Sequence, residues 1–381
     1  MKQGWTYKKL GELGTIVTGS TPSTKIKEYY CSNDYCFIKP SDLPAEGYQI
    51  IVESENYISS KGYEVSRKLP KGSVLVSCIG IIGKIAILGM DACTNQQINA
   101  IIPNEYVNNK FLAYSILSQR YVLSSVANAP VVPLINKSDF SKVEIPLPPL
   151  STQLSIVSEL DKINELIRLK REQLKDYDNL AQSIFYEMFG DPVVNEKGWE
   201  VKKLGDVCKF TQGTQVPIEE QHLSKENGLV QFLRIIDFTQ GKDAPRFVKC
   251  SNDKYILHER EIAIVRYGTP GFVCYGKIGA IANNLFKITP NQKDMFEFEF
   301  LVHWLNTEAF QSAVKSKQYG AALQAIKFST IQGINIIIPS LTVQRSFATR
   351  ISQIDKQKQY IEESIKDLET LLASRMQYWF D

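Results

Sequence analysis

From Ile156 onward the apolar positions of this chain advance by four and three residues in turn: Ile156, Leu160, Ile163, Ile167, Leu174, Tyr177, Ala181, Ile184 and Met188, with Lys170 taking one step of the series. The same rhythm returns at Phe347, Ile351, Ile354, Ile361, Ile365, Leu368, Leu372 and Trp379, with Lys358 and Arg375 standing in the apolar row. A spacing of about 3.5 residues sustained over several heptads predicts a coiled-coil seam on each of two long helices. Neither stretch holds an internal Pro or Gly, and PPLST and PSLT place Pro and then Ser or Thr just ahead of each start. The stems of Lys170, Lys358 and Arg375 are expected to snorkel along the seam; the sharper alternative is that they fix register or meet a partner.

Ahead of each helix the pattern changes to short β-branched runs broken by Gly and polar turns. SVLVSCIG (73–80), GKIAIL (83–88) and QINAII (97–102) are answered by EIAIVRYG (261–268), GFVCYG (271–276) and LFKIT (285–289). One helical stretch follows in each case, NNKFLAYSILSQRYVLSSV and FEFEFLVHWLNTEAFQSAV. The chain also begins twice, with GWTYKKLGELGTIVTG at 4–19 and GWEVKKLGDVCKFTQG at 198–213. Pro148, Leu150 and Gln153 recur as Pro339, Leu341 and Gln344, Gly80 and Gly83 as Gly268 and Gly271, and Phe189 as Phe380.

The expected order is therefore head, helix, head, helix, over 1–148, 149–190, 191–339 and 340–381. The fold class is α+β: two strand-rich mixed domains separated by a pair of long helices forming an antiparallel coiled coil, with an internal pseudo-twofold repeat. Seam residues left in water forfeit ~1.5–3 kcal/mol each, so two such helices in one chain are expected to cover each other. If the repeat is a true pseudo-twofold, the end of the second helix should lie beside Gly4 and Trp5.

Composition narrows the function. With 44% hydrophobic and 22% charged residues the chain reads as an ordinary globular protein, without an apolar run long enough for a membrane span or the apolar core of a signal peptide. Its seven scattered cysteines contain no C-x-x-C pair, which suits reduced thiols in a cytoplasmic protein. Three distant histidines suggest no metal site, and no cofactor is expected. The net charge of +3 rests on the heads, where a polyanion would dock, but is too small to establish nucleic-acid binding. Phosphate-loop and dinucleotide-loop signatures are absent, as are NPPY, DPPY, H-E-x-x-H and G-x-S-x-G, so no catalytic residues are assigned. GIIGKIAIL reads as a turn between strands.

Two copies of GW-x-x-KKLG, two linkers IPLPPLSTQ and IIPSLTVQ, and two heptad helices resemble the specificity subunit of type I restriction–modification systems. That resemblance implies two target recognition domains, each reading one half of a split site on double-stranded DNA. It implies conserved spacer helices that dock two modification (methyltransferase) subunits, restriction subunits joining for cleavage, and no catalysis by this chain. Ser340 departs from the pattern where the first copy has Pro149, and the second seam has lost two apolar positions, which puts perfect twofold symmetry in question. A helix of ~34 residues spans ~50 Å at ~1.5 Å per residue, a sensible ruler for half-sites about one ~34 Å turn apart.

Candidate DNA-binding residues are the polar groups on equivalent Gly-marked loops: Thr18, Ser20, Thr21, Lys39, Asp42, Lys84, Asn95 and Gln96 in the first head, and Gln212, Thr214, Arg234, Asp237, Arg266, Tyr267, Asn283 and Asn284 in the second. An Arg pairs bidentately with guanine, and Asn or Gln with adenine. Asn and Gln near strands equally often hold turns, and most protein–DNA hydrogen bonds go to the backbone, so fewer than half are expected to touch bases. Asp42 and Asp237 are expected to orient Lys39 and Arg234. The rivals from other classes are a coiled-coil scaffold whose heads bind proteins, and a stand-alone DNA methyltransferase.

Overall fold

The computed structural model describes residues 4–126, 133–239, 243–292, 294–316 and 326–380. The chain divides into two compact units, residues 1–171 with 363–381, and residues 172–362. Two helices of 40 residues, Leu150–Phe189 and Leu341–Phe380, contribute a segment to each unit.

In the first unit a five-stranded sheet runs in the order Gly14–Thr18, Ile98–Pro103, Val74–Ser77, Ile85–Leu88, Tyr48–Ile51, antiparallel except for its last pair. A smaller sheet joins Tyr57–Ile58, Tyr35–Ile38 and Cys93–Thr94. The second unit repeats the plan with Cys208–Gln212, Leu285–Pro290, Ile262–Val265 and Val273–Cys274. Its other sheet orders Arg246–Lys249, Leu229–Leu233, Gly279–Ile281 and Ile256–Leu257. The apolar runs SVLVS and EIAIV supply fully buried strands, since both of their faces are covered. Among the described residues the second unit has no counterpart of Tyr48–Ile51 on the edge of its first sheet.

The repeated opening motif is a strap. Thr6–Lys9 pairs antiparallel with Glu144–Leu147, and Glu200–Lys203 with Asn335–Ile338, so each motif closes its unit beside the start of a long helix. The Gly that ends the motif is required by close approach. A β-carbon on Gly19 would collide with the Asn95 and Thr94 carbonyls, and one on Gly213 with those of Ala282 and Ile281.

Each expected helical stretch is two helices: Asn109–Ser118 and Arg120–Val126, then Phe298–Leu305 and Glu308–Ser316. The break is chemical in the second case, where Thr307 Oγ1 donates to the Trp304 carbonyl at 2.6 Å and accepts from Phe310 N at 3.4 Å, capping a new start.

Ile156 and Leu160 pack with Phe111, Leu112 and Phe380 in the core of the first unit. Phe347 and Ile351 pack with Phe185, Phe189 and Phe300 in the second. Ile163, Ile167, Ile354 and Ile361 are buried, whereas Leu174, Tyr177, Ile184, Met188, Ile365, Leu368, Leu372 and Trp379 are half-buried. Near residue 185 the deepest positions are Phe185 and Phe189, one step beyond Ile184 and Met188, because Phe300 and Phe347 meet them at centroid distances of 4.8–5.9 Å.

The helices run antiparallel within each unit. Arg375 pairs with Glu159, whose carboxylate also accepts from the Trp379 indole at 3.0 Å, and Arg171 meets Glu369 at 2.7 Å. In the second unit Lys358 reaches Asp178 at 2.6 Å. Two of the three basic interruptions thus meet carboxylates on the facing helix instead of merely lying along the seam; the Lys170 side chain is half-buried. The rings of Trp5 and Trp379 stack at 6.4 Å, while Asp381 lies outside the described residues. The Trp199 indole of the second copy donates to the Phe189 carbonyl at 2.9 Å.

Candidate nucleic-acid interface

In the first unit five of the candidate residues converge on one loop cluster. Thr18 Oγ1 donates to Asn99 Oδ1 at 2.6 Å, Thr21 Oγ1 to Gln96 Oε1 at 2.6 Å, and the Ser20 amide to the Thr94 carbonyl at 2.9 Å. Asn95 is buried and closes a turn, accepting from the Gln97 amide at 3.1 Å while its Nδ2 donates to Gln97 Oε1 at 2.8 Å. Thr21 and Gln96 are exposed and retain polar capacity toward solvent.

Arg67 belongs to this cluster although the sequence offers no signal for it. Its guanidinium donates to the Thr18 carbonyl at 2.7 Å, and its amide to Ser20 Oγ at 3.2 Å. A positive charge is thereby held at Thr18 and Ser20, on the segment that leads into the exposed Thr21.

The second unit assembles Gln212, Thr214, Asn283, Asn284 and Arg266 at the corresponding place. Gln212 Nε2 donates to the Asn283 carbonyl at 2.9 Å, Asn283 Nδ2 to Gln215 Oε1 at 3.3 Å, and the Thr214 amide to the Ile281 carbonyl at 2.9 Å. The Arg266 amide donates to the Asn284 carbonyl at 2.8 Å, and its guanidinium lies 5.7 Å from the centre of the Phe286 ring. Tyr267 is exposed next to it. Gly268 and Gly271 follow at φ +93° and +90°, matching Gly80 and Gly83 at +77° and +79°, left-handed positions that glycine takes without a β-carbon penalty.

Lys39, Asp42 and Lys84 form a separate group concerned with holding a turn. Asp42 accepts from the Lys39 amide at 2.7 Å and the Glu55 amide at 3.0 Å, so it orients backbone, while Lys39 Nζ goes to Asn56 at 2.7 Å. Lys84 Nζ caps the Pro40 and Leu43 carbonyls at 3.0 and 3.1 Å. In the second unit the buried Asp237 accepts from the Arg234 amide at 2.7 Å and from both sides of its guanidinium at 3.1 Å, and Lys277 caps the Asp237 carbonyl. These ties restrain Arg234, Lys39 and Lys84 within their own units.

A family model described as type I restriction modification DNA specificity domain matches the chain twice, at residues 2–176 and 196–370. The chain belongs to the type I DNA specificity family. Each match takes in one opening motif, one loop cluster and most of the long helix that follows. Among curated relatives, the type I restriction enzyme MjaIX specificity subunit of Methanocaldococcus jannaschii is 29% identical, over 92% of this chain and 86% of its own. The HindI specificity subunit of Haemophilus influenzae is 36% identical over 38% of this chain and 32% of its own. A structure titled for complex assembly and conformational transition of the type I R-M system shares the fold at TM-score 0.60, with 21% identity, covering 99% of this chain and 97% of that one. The S subunit from M. genitalium does so at 0.54, with 14% identity, covering 99% and 96%.

The specificity-family frame also rests on two residues whose recurrence is visible in sequence and whose task is not. Gln153 and Gln344 are fully buried. Gln153 accepts from the Asn108 amide at 2.9 Å and donates to the Tyr106 and Pro148 carbonyls at 3.0 and 2.9 Å. Gln344 repeats this with the Glu297 amide at 2.8 Å and the Met295 and Pro339 carbonyls at 3.2 and 2.8 Å. Each sutures the loop ahead of the head's helix to the first turn of a long helix. Among the described residues no group of three or more His, Cys, Asp or Glu is placed to hold a metal ion, and no helix is long and apolar enough to cross a membrane.

Proposed function

We propose that this chain is the DNA-reading subunit of a type I restriction–modification complex, in which each head reads one half of a bipartite, asymmetric site. The observation that carries the proposal is a shared frame with unlike polar groups: at corresponding places the first unit offers Thr21 and Gln96 and the second Gln215 and Asn283, and the basic groups come from different positions, Arg67 in the first unit and Arg266, where the first unit has Cys78, in the second. A phosphate grip common to both heads would need no such divergence, whereas base edges demand it. The recognition domains correspond to 1–148 and 191–339, the spacers to 149–190 and 340–381. The spacer helices dock two methyltransferase subunits and set the distance between half-sites. Methyl transfer and cleavage belong to the modification and restriction subunits, and the complex works in the cytoplasm on chromosomal and incoming duplex DNA.

Mapping methylated adenines in DNA exposed to the chain together with its modification subunits tests this. A split site is expected, and replacing residues 191–339 with an unrelated recognition domain should change one half of it only. A change in both halves, or methylation without a common sequence, would refute the assignment of one half-site to each head.

A further inference from the structure

The junction between head and long helix is filled in one unit and open in the other. Counting from the buried glutamines, Tyr114 corresponds to His303, Lys110 to Glu299, Asp161 to Ser352 and Asn164 to Asp355. In the first unit Asp161 is saturated: Tyr48 and Tyr114 hydroxyls donate to it at 2.8 Å each and Lys110 at 2.6 Å, with Asn164 Nδ2 on the Tyr114 hydroxyl at 2.9 Å. Tyr48 comes from the edge strand Tyr48–Ile51 and meets Tyr114 edge-on at 5.1 Å. Among the described residues the second unit has no such strand, and a cleft of about 630 Å³ is lined by the residues equivalent to Lys110, Tyr114 and Asn164. That size falls within the range of small-molecule sites.

The lining of the cleft specifies an occupant. Asp178, Glu299, Asp355 and Glu362 face Lys358, the lone cationic side chain among the lining residues. Lys358 satisfies Asp178 at 2.6 Å, and Arg260 satisfies Glu299 through two bonds at 2.9 and 3.0 Å. Asp355 and Glu362 make no ion pair within 4.0 Å among the described residues, and partial burial raises the Asp355 carboxyl above the usual range against the opposing charge of Lys358. Burial, helped by the charge of Lys358, lowers His303 to about 4, so its ring is neutral near pH 7 and offers an acceptor. Tyr275 and Phe298 add aromatic surface, and Arg260 already lies 5.0 Å over the Phe298 ring, the arrangement a second cation would adopt.

We propose that this cleft binds a guanidinium or ammonium group carried on a short aliphatic stem, held by Asp355, Glu362 and His303 against Tyr275. The bound group completes in the second unit what Tyr48 completes in the first. Carboxylates in excess of the cleft's single cationic side chain favour a ligand that is all donor, and guanidinium supplies five N–H groups in a planar fork. The inference stands apart from the DNA-recognition proposal, since none of these residues belongs to the loop clusters.

Calorimetric titration of the full chain with agmatine, and separately with the acetylated, amidated peptide Ala-Arg-Ala, tests it. Saturable binding of either probe is expected, weakened at least ~tenfold by Asp355→Asn, or ~1.4 kcal/mol, and severalfold by Glu362→Gln, but unaffected by Glu165→Gln in the other unit. Agmatine binding assigns the site to a free small cation; binding of the peptide alone assigns it to an arginine side chain of a partner protein. Asp355→Asn keeps the shape while removing an unpaired carboxylate, so the variant should fold, and circular dichroism confirms that. No binding of either probe, or equal weakening by Glu165→Gln, would overturn the proposal.

Discussion

Replacing Gln344 with Leu probes the suture that ties the second unit to its long helix. Leu matches the buried volume closely but can neither accept from the Glu297 amide nor donate to the Met295 and Pro339 carbonyls, now held at 2.8, 3.2 and 2.8 Å. One N–H and two carbonyls would be left in a site where the glutamine is 0% exposed. An unsatisfied buried group costs ~1–3 kcal/mol, and partial relaxation toward solvent places the total at ~3–5 kcal/mol. For a domain of roughly 150–250 residues this lowers the melting temperature by about 10 °C. Gln153→Leu should cost a similar amount in the first unit, where the same three bonds recur. The two sites share no partner, so the double variant should lose the sum to within ~0.5 kcal/mol. Urea denaturation read by circular dichroism, with calorimetry to resolve transitions, measures both quantities. A loss below ~1 kcal/mol in either single variant would mean that the loop carbonyls find water and that the glutamines are not sutures.

Arg266→Ala should weaken specific binding by ~1–3 kcal/mol and relax one position of the second half-site; equal weakening on all sequences would make it a phosphate contact instead. Phe185→Ala empties the centre of the second unit's aromatic cluster and should cost ~3–5 kcal/mol in a denaturant titration, a loss under ~1 kcal/mol refuting its role. Glu159→Gln tests a pH-dependent tie. The Arg375 hydrogen bond, then that from Trp379, holds the Glu159 carboxyl below its ordinary 4.5 despite partial burial. A depressed carboxylate stabilises the fold above its unfolded value and loses that contribution as pH falls through its folded value. The variant should therefore be less stable than the parent near neutral pH, and the gap should close as pH drops below 4.5; a gap independent of pH would show that the ion pair contributes nothing.

The long helices are legible because their signal is periodic and uninterrupted, and because an apolar seam has few ways to be covered. The strands at 74–77, 85–88, 262–265 and 285–290 are legible for the same reason, as β-branched runs between turn residues. What sequence did not convey is which neighbour covers each seam residue. Ile156 and Leu160 look like coiled-coil positions yet pack with Phe111 and Leu112 of the first unit's head, since a heptad pattern records burial and not the identity of the covering element. The break at Thr307 was hidden because a threonine inside an apolar-rich run carries no sign of whether it caps. Among the loop candidates, Asp42 and Lys84 have the chemistry of DNA contacts and spend it on backbone. Arg67 lies far in sequence from Thr18 and Ser20, so their meeting depends on strand pairing that no local motif encodes.

The duplication separates what folding requires from what it leaves open. Gly19 and Gly213 admit no side chain, Gln153 and Gln344 make the same three bonds, and Phe111 with Phe380 corresponds to Phe300 with Phe189 at 5.6 and 4.8 Å. Where one copy departs from the other, the frame tolerates the change. The backbone at Cys78 and at Arg266 makes the same bond, to the carbonyls of Gln97 and Asn284 at 2.8 Å. The Cys78 side chain is buried against Asn99, whereas Arg266 carries a guanidinium over Phe286. A substitution from thiol to guanidinium at a fixed backbone position changes hydrogen-bonding character completely without moving a strand. Two heads built this way share a frame and cannot present the same donors and acceptors, so a duplex that satisfies one leaves the other's polar groups unpaired. Unpaired polar groups in a desolvated interface cost more than the contacts beside them return. On the proposed reading of Arg266 as a base contact, the repeat predicts asymmetry: a half-site that fits around Arg266 should not fit the unit that carries Cys78 in its place.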